Sequence, residues 1–177
     1  MTVTYTPVSS LDEVDLYSLY DACADVIDRS FTWWPEGVNT PELKREFYTQ
    51  FLRECSTLGM GAAPYLRENF FVFKAQIDGV DSLVSAGYVD EGGCYHCLWY
   101  LTKPDANGSR NWLYTTIGDE HALYRSRGIT SMRIITYEES LIARNIRMRE
   151  AAGAIVVLDK TFVDDTNVSY TLKVNEA

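Results

Sequence analysis

In the run FFVFKAQIDG, Phe71, Phe73, Ala75 and Ile77 alternate with more polar positions, and the runs VDSLVSAGYVD and CYHCLWYLTKP follow it to residue 104. Turn signals at Asp78-Gly79 and Glu91-Gly92-Gly93 separate them, so the three runs predict an antiparallel meander. Residues 2–7 (TVTYTP) alternate likewise and predict an earlier strand. Ser10, with Glu13 three residues later, is a capping-box signature. The helix it opens carries Leu16, Leu19, Cys23, Val26 and Ile27 at helical spacing, sets Asp12, Asp15, Asp21 and Asp25 mostly outward, and stops near Arg29. A loop over residues 30–39 holds Trp33, Trp34 and Pro35. Thr40 then reads as an N-cap with Pro41 at the first helical position, launching a second helix through Leu43, Phe47 and Phe51 toward Gly59.

Beyond the meander, the polar segment PDANGS precedes a predicted helix from about Ser109 to Arg127 with Leu113, Ile117, Ala122 and Tyr124 inward. ITSMRIITY reads as a strand, SLIARNIRMREAAG as a helix with Ile142 and Ile146 on one face, and AIVVLDKTFV with VSYTLKV as a hairpin around residues 164–167. The two helices end at Gly128 and Gly153, each followed by a β-branched run. No internal repeat, low-complexity segment or linker divides the chain, which predicts one domain over residues 1–177.

Composition narrows the function classes. The 177 residues are 46% hydrophobic and 23% charged, the mix of a globular domain with a substantial core. Acidic residues outnumber basic ones 25 to 16, giving a net charge of −9, which argues against nucleic acid as a partner because phosphate binding needs a cationic face. No apolar stretch has the length of a membrane span, and MTVTYTPVSSLDEVD lacks the basic and apolar regions of a secretory leader. The expectation is a cytoplasmic protein without a membrane partner.

Four cysteines, Cys23, Cys55, Cys94 and Cys97, are too sparse for a disulfide scaffold. Cys94, His96 and Cys97 resemble a metal constellation. On a strand, however, Cys94 and His96 share one face and Cys97 points to the other, so the three converge only through a bulge. The expectation is packed thiols and no metal.

The element order and the phrase IARNIRMREAAGAIVV resemble the acyl-CoA N-acyltransferase (GNAT) superfamily, its helix, glycine and sixth strand, over nearly the whole chain. The resemblance implies an α/β (α+β) fold: a mixed, mostly antiparallel sheet of about six to seven strands flanked by four helices. It implies that strand four splays from strand five and that the pantetheine arm of acetyl-CoA lies between them, placing Leu98, Tyr100, Leu101 and Thr102 at the cofactor. The pyrophosphate would rest where a loop opens the third helix, at Gly108, Ser109, Arg110 and Asn111. This loop has one glycine of the family's pattern, and Trp112 stands where the family prefers a small residue.

The family often protonates the departing thiolate with a tyrosine four residues before the glycine of its final helix. Counting back from Gly153 gives Arg149, and a guanidinium does not release its proton near neutral pH. Tyr137 is the alternative acid, and Glu138, or Glu139, the base acting through water. Trp33, Trp34 and Glu36 lie in the connection that walls the acceptor site in the family, so they are candidates for binding the amine.

Two functions stand at this point. One is N-acetyl transfer from acetyl-CoA to a small-molecule or protein amine. The other is a catalytically inactive GNAT-fold binding or structural protein, a homo-oligomer or a component among virion proteins, since IRMREAAGAIVV also looks similar to small GNAT-like proteins of tailed bacteriophages.

Overall fold

The computed structural model describes residues 2–57, 69–104 and 118–176, with only the backbone at residues 30, 55–57 and 141. Among these residues seven strands form one sheet: β1 (Val3–Val8), β2 (Phe70–Ile77), β3 (Val80–Val89), β4 (Cys94–Thr102), β5 (Ser131–Tyr137), β6 (Val156–Phe162) and β7 (Asn167–Lys173). Their spatial order is β1-β2-β3-β4-β5-β7-β6, and every neighbouring pair is antiparallel except β4 and β5. The helices among the described residues are α1 (Leu16–Ser30), α2 (Pro41–Thr57), α3 (His121–Ser126) and α4 (Leu141–Ala151). The fold that the resemblance implies, a mostly antiparallel sheet of six to seven strands with four helices, is therefore the one observed among the described residues.

Strand alternation gives the sheet two apolar faces, and each is covered. On one face Phe73, Leu83, Tyr95, Met132, Val168, Tyr170 and Leu172 pack with Tyr124 of α3 and with Ile142, Ala143 and Ile146 of α4. On the other, Val84 and Leu101 pack with Leu16, Leu19, Cys23 and Ile27 of α1 and Leu52 of α2. Leu83 and Val84, adjacent on β3 and both fully buried, face opposite layers.

Both predicted glycine stops hold. Gly128 and Gly153 each adopt φ +72°, and Ala154 N–H donates to Arg149 O across the second, closing the helix with left-handed backbone.

Four details depart from the sequence reading. The helix predicted from about Ser109 to Arg127 is turn over Gly118–Glu120, with Gly118 at φ +101°, and α3 begins only at His121. The capping box at Ser10 and Glu13 forms, but it caps a 3₁₀ turn over Leu11–Glu13; extended backbone at Val14 interrupts it, and α1 starts afresh with Asp15 Oδ1 accepting from Ser18 N–H at 3.1 Å. Val26, counted with the apolar stripe of α1, is half exposed, because Cys23 and Ile27 already fill the contact with the sheet. Ala122 is exposed, since α3 turns His121 and Tyr124 inward. Residues 105–117, with Gly108, Ser109, Arg110, Asn111, Trp112, Leu113 and Ile117, lie outside the described residues, as does Gly59.

Candidate functional site

The parallel contact between β4 and β5 is short. Cys94, Tyr95 and His96 pair with Ser131, Met132 and Arg133, and the ladder ends there. Past that point β4 continues along β3 and β5 continues along β7, so the two central strands part in the middle of the sheet. A cavity of about 210 Å³ fills the opening, lined by Cys97, Leu98, Trp99, Tyr100, Ile134, Ile135, Thr136 and Ile142.

A bulge shapes the β4 side. Ala86 of β3 pairs with Trp99 and Gly87 with Cys97, leaving Leu98 as the extra residue, 39% exposed at the gap. The bulge also resets the alternation: Cys97 packs with the α3/α4 layer, whereas Trp99 packs against the α1/α2 layer. Ser85 Oγ joins Tyr95 Oη at 2.8 Å and Cys97 Sγ at 3.6 Å beneath the gap. Burial, reinforced by the nearby Glu120 charge and opposed by the Ser85 hydrogen bond, pushes the Cys97 thiol up to about 12. A thiol so held is protonated near neutral pH and does not serve as a nucleophile.

Of the four β4 residues assigned to the cofactor, Leu98 and Tyr100 line the gap. Leu101 is buried against α1 and α2, and Thr102 is buried with its carbonyl accepting from Cys23 Sγ at 3.2 Å; neither is in the lining. The four loop residues assigned to the pyrophosphate lie outside the described residues. Tyr137 ends β5, 62% exposed, one residue beyond Thr136 of the lining. Glu138 pairs with Lys160 at 3.2 Å and its carbonyl accepts from Arg147, while Glu139 is exposed beside Arg144. Arg149, in the place of the family's tyrosine, is ion-paired with Asp119 at 2.9 Å.

The tryptophans separate. Trp33 is 72% exposed, edge-on to Phe31 and Phe51, whereas Trp34 is partly buried against Phe31 at 4.8 Å with Lys44 above its ring. Glu36 is exposed in the same loop, and none of the three lines the gap. A larger cavity of about 410 Å³ lies between α1 and α2, lined by Asp21, Asp25, Asp28 and Lys44 among others. Its carboxylates at Asp28 and Asp21 are already paired with Lys44 and Arg45, and no strand edge reaches it, so the gap is the better candidate site.

Sequence reasoning missed the β5 half of the gap, Ile134, Ile135 and Thr136, and Ile142 of α4. Their signal is topological: whatever lies opposite a splayed strand four must come from strand five and the helix packed over it.

No protein-family model matches the chain, and no curated protein matches it. Solved structures do. A ribosomal L7/L12 α-N-protein acetyltransferase (RimL) in complex with coenzyme A superposes with TM-score 0.60 at 11% identity, covering 98% of this chain and 95% of that one. The ribosomal-protein-S5-alanine acetyltransferase of Vibrio fischeri gives TM-score 0.56 at 9% identity, with 99% and 95% covered. An acetyltransferase assigned to the GNAT family from Desulfovibrio desulfuricans gives 0.53 at 16%, with 98% and 100% covered. These neighbours lend no support to a phage origin. With near-complete coverage in both directions, and with the parted central strands in place, the chain has the GNAT acyltransferase fold.

Proposed function

We propose that this chain is an N-acyltransferase that takes acetyl-CoA in the gap between β4 and β5 and passes the acetyl group to an amine, of a small molecule or of a protein. The observation that carries the reading is the parting of two central strands around a cavity with Leu98, Ile134, Ile135 and Ile142 in its lining. Adjacent strands of one sheet ordinarily pair along their length, because unpaired backbone edges are costly. An opening maintained here suits an extended ligand with amide groups along an apolar arm, which is the chemistry of pantetheine. RimL, with the same fold, has coenzyme A in its complex.

Acetyl-CoA supplies an activated thioester; the chain's own residues hold it, exclude water and manage one proton. Ile134, Ile135 and Ile142 give the gap its apolar wall. The protonated Cys97 makes an acyl-cysteine step unfavourable and leaves direct attack by the amine. Tyr137, next to the gap wall, is the proposed proton donor to the departing sulfur, with Glu138 or Glu139 relaying the amine proton through water. Gly108, Ser109, Arg110 and Asn111 are the proposed pyrophosphate cradle, and Trp33, Trp34 and Glu36 the proposed acceptor contacts. The acidic chain favours a cationic acceptor.

A second reading, a GNAT-fold protein that binds without catalysing, is favoured by Arg149, whose guanidinium is committed to Asp119 where the family places its acid. Calorimetric titration with acetyl-CoA, followed by turnover assays on a panel of amines, separates the two. Saturable binding with turnover supports the enzyme, and binding without turnover supports the second reading. Absence of heat at millimolar ligand removes acetyl-CoA from both.

Location is tested by Ile135→Trp. Ile135 lines the gap yet is 52% exposed, so an indole there fills the opening with little disturbance of the core. We expect acetyl-CoA affinity to fall at least about tenfold, or 1.4 kcal/mol, while the melting temperature stays within about 3 °C. Unchanged affinity would place the ligand elsewhere.

A further inference from the structure

The turn joining β3 to β4 folds a carboxylate back over the start of β4. Asp90 Oδ1 accepts the N–H groups of Gly92 and Cys94, both at 2.9 Å, and Oδ2 lies 2.8 Å from His96 Nε2. Cys94 and His96, two residues apart on a strand, leave the same face of the sheet. β5 pairs them with Ser131 and Arg133, and on the other side β3 sets Tyr88 against His96, the two rings stacked with centroids 4.6 Å apart and planes 1° from parallel. One donor atom from each of Asp90, Cys94 and His96 lies within 4.8 Å of the other two, and all three side chains are partly buried.

We propose that Asp90, Cys94 and His96 form a binding site for a transition-metal dication of the zinc class, with Oδ2, Sγ and Nε2 as ligands and water in the fourth position. A sulfur, a nitrogen and an oxygen donor are the set that borderline-soft ions such as Zn²⁺ prefer over magnesium or calcium. Bonds of about 2.0–2.3 Å in a tetrahedron hold ligand atoms roughly 3.3–3.8 Å apart. The carboxylate and imidazole donors lie closer than that, at 2.8 Å, and the thiol lies within 4.8 Å of both, so small side-chain movements bring the three donors into the range. A carboxylate and a thiolate neutralise the dication. Binding forms the metal–sulfur bond and releases the thiol proton to solvent.

The surroundings supply what ligands need behind them. The two backbone N–H groups on Oδ1 orient the carboxylate, and the Tyr88 face fixes the imidazole plane. The nearby Arg133 has its guanidinium turned to Ser169 Oγ, with Nε donating at 2.8 Å. The strand argument against Cys94, His96 and Cys97 was correct for Cys97, which faces Ser85 on the opposite side. The third donor comes instead from the turn, four residues before Cys94.

The test uses the full, reduced chain with Zn²⁺ or Co²⁺ alone. Zinc calorimetry is expected to show one site per chain, and cobalt to give a thiolate-to-metal absorption band in the near ultraviolet. Cys94→Ser should remove that band and Cys97→Ser should retain it, while His96→Gln and Asp90→Asn should each weaken zinc binding at least about tenfold. Circular dichroism establishes that each variant is folded; should Cys94→Ser or Asp90→Asn fail to fold, His96→Gln decides the matter. Absence of saturable binding at submillimolar metal, a band that survives Cys94→Ser, or zinc affinity unaltered in His96→Gln overturns the proposal.

Discussion

Gly87→Ala is expected to be among the most damaging single substitutions in the chain, although it adds one methyl group. A Cβ on Gly87 would lie 2.0 Å from the carbonyl oxygen of His96, 2.8 Å from Cε2 of Tyr95 and 2.9 Å from the His96 carbonyl carbon. The first and last are backbone atoms of the paired strand, so no side-chain rotation relieves the contact. Relief requires β3 and β4 to separate where the bulge has drawn them together, which breaks ladder hydrogen bonds and disturbs the fully buried Tyr95. We expect a loss of at least about 3 kcal/mol, or roughly 6–12 °C in melting temperature for a chain of this size. Thermal unfolding followed by circular dichroism measures it. Melting within about 2 °C of the parent would mean that the close approach is not a constraint on the sheet. The strand that the added methyl group would displace, β4, lines the gap from Cys97 to Tyr100, so a folded Gly87→Ala protein should also bind acetyl-CoA more weakly under the proposed function.

Much of this architecture was legible in the sequence because local signals agreed with one another. Alternation marked β1 and β2, the turn signals at Asp78-Gly79 and Glu91-Gly92-Gly93 bounded β3 and β4, and glycine stops marked the ends of α3 and α4. Where the reading slipped, a tertiary contact had overridden a local rule. The box at Ser10 is a genuine cap, but Lys74 reaches across to donate to Glu13 O at 2.7 Å and Asp81 accepts from Asp15 N–H, which ties the turn to the sheet and displaces the helix start. Val26 fits the helical stripe of α1 by spacing alone, and spacing does not say how wide the sheet beneath the helix is.

The candidate site was legible only in part. Strand four could be assigned to the gap by element order, yet the bulge at Leu98 has no local signature in CYHCLWYLT; it exists because Gly87 on the partner strand permits a close approach. That is why Leu98 and Tyr100 line the opening while Leu101 turns toward α1. The convergence of Asp90 on Cys94 and His96 was missed for a related reason. A period-two argument sorts side chains within a strand and is blind to the residues of a turn that fold back over it.

The buried neighbours Glu120 and His121 are expected to impose opposite pH dependences on stability, and each substitution should expose the other. Glu120 is 3% exposed, and burial, reinforced by Asp119 and opposed by hydrogen bonds from its own and the Gly118 N–H and by Arg149, raises its carboxyl to about 7. His121 is 2% exposed, and burial, with Arg125 and Arg149 adding to it and Asp119 opposing, lowers its imidazole to about 4. The geometry agrees with the lowered value: His121 Nδ1 accepts from the Asn175 N–H at 2.9 Å, which only the neutral ring does. Between the ordinary carboxylate pKa and about 7, the folded state binds a proton at Glu120 that the unfolded state has released, so stability falls as pH rises through that window. Between about 4 and the ordinary imidazole pKa, the unfolded state binds a proton at His121 that the folded state refuses, so stability rises with pH. Each contribution is of order 3 kcal/mol across its window, and the two largely cancel where the windows overlap. Glu120→Gln retains an acceptor for the Gly118 N–H and removes the falling limb; its urea midpoint should climb from pH 4 to 6.5 and exceed the parent's above pH 7. His121→Asn keeps an acceptor for the Asn175 N–H and removes the rising limb, so its midpoint should fall from pH 4.5 to 7. Parallel pH profiles for the parent and both variants would show that neither group is held in the ionisation state that burial between the sheet and α3 imposes.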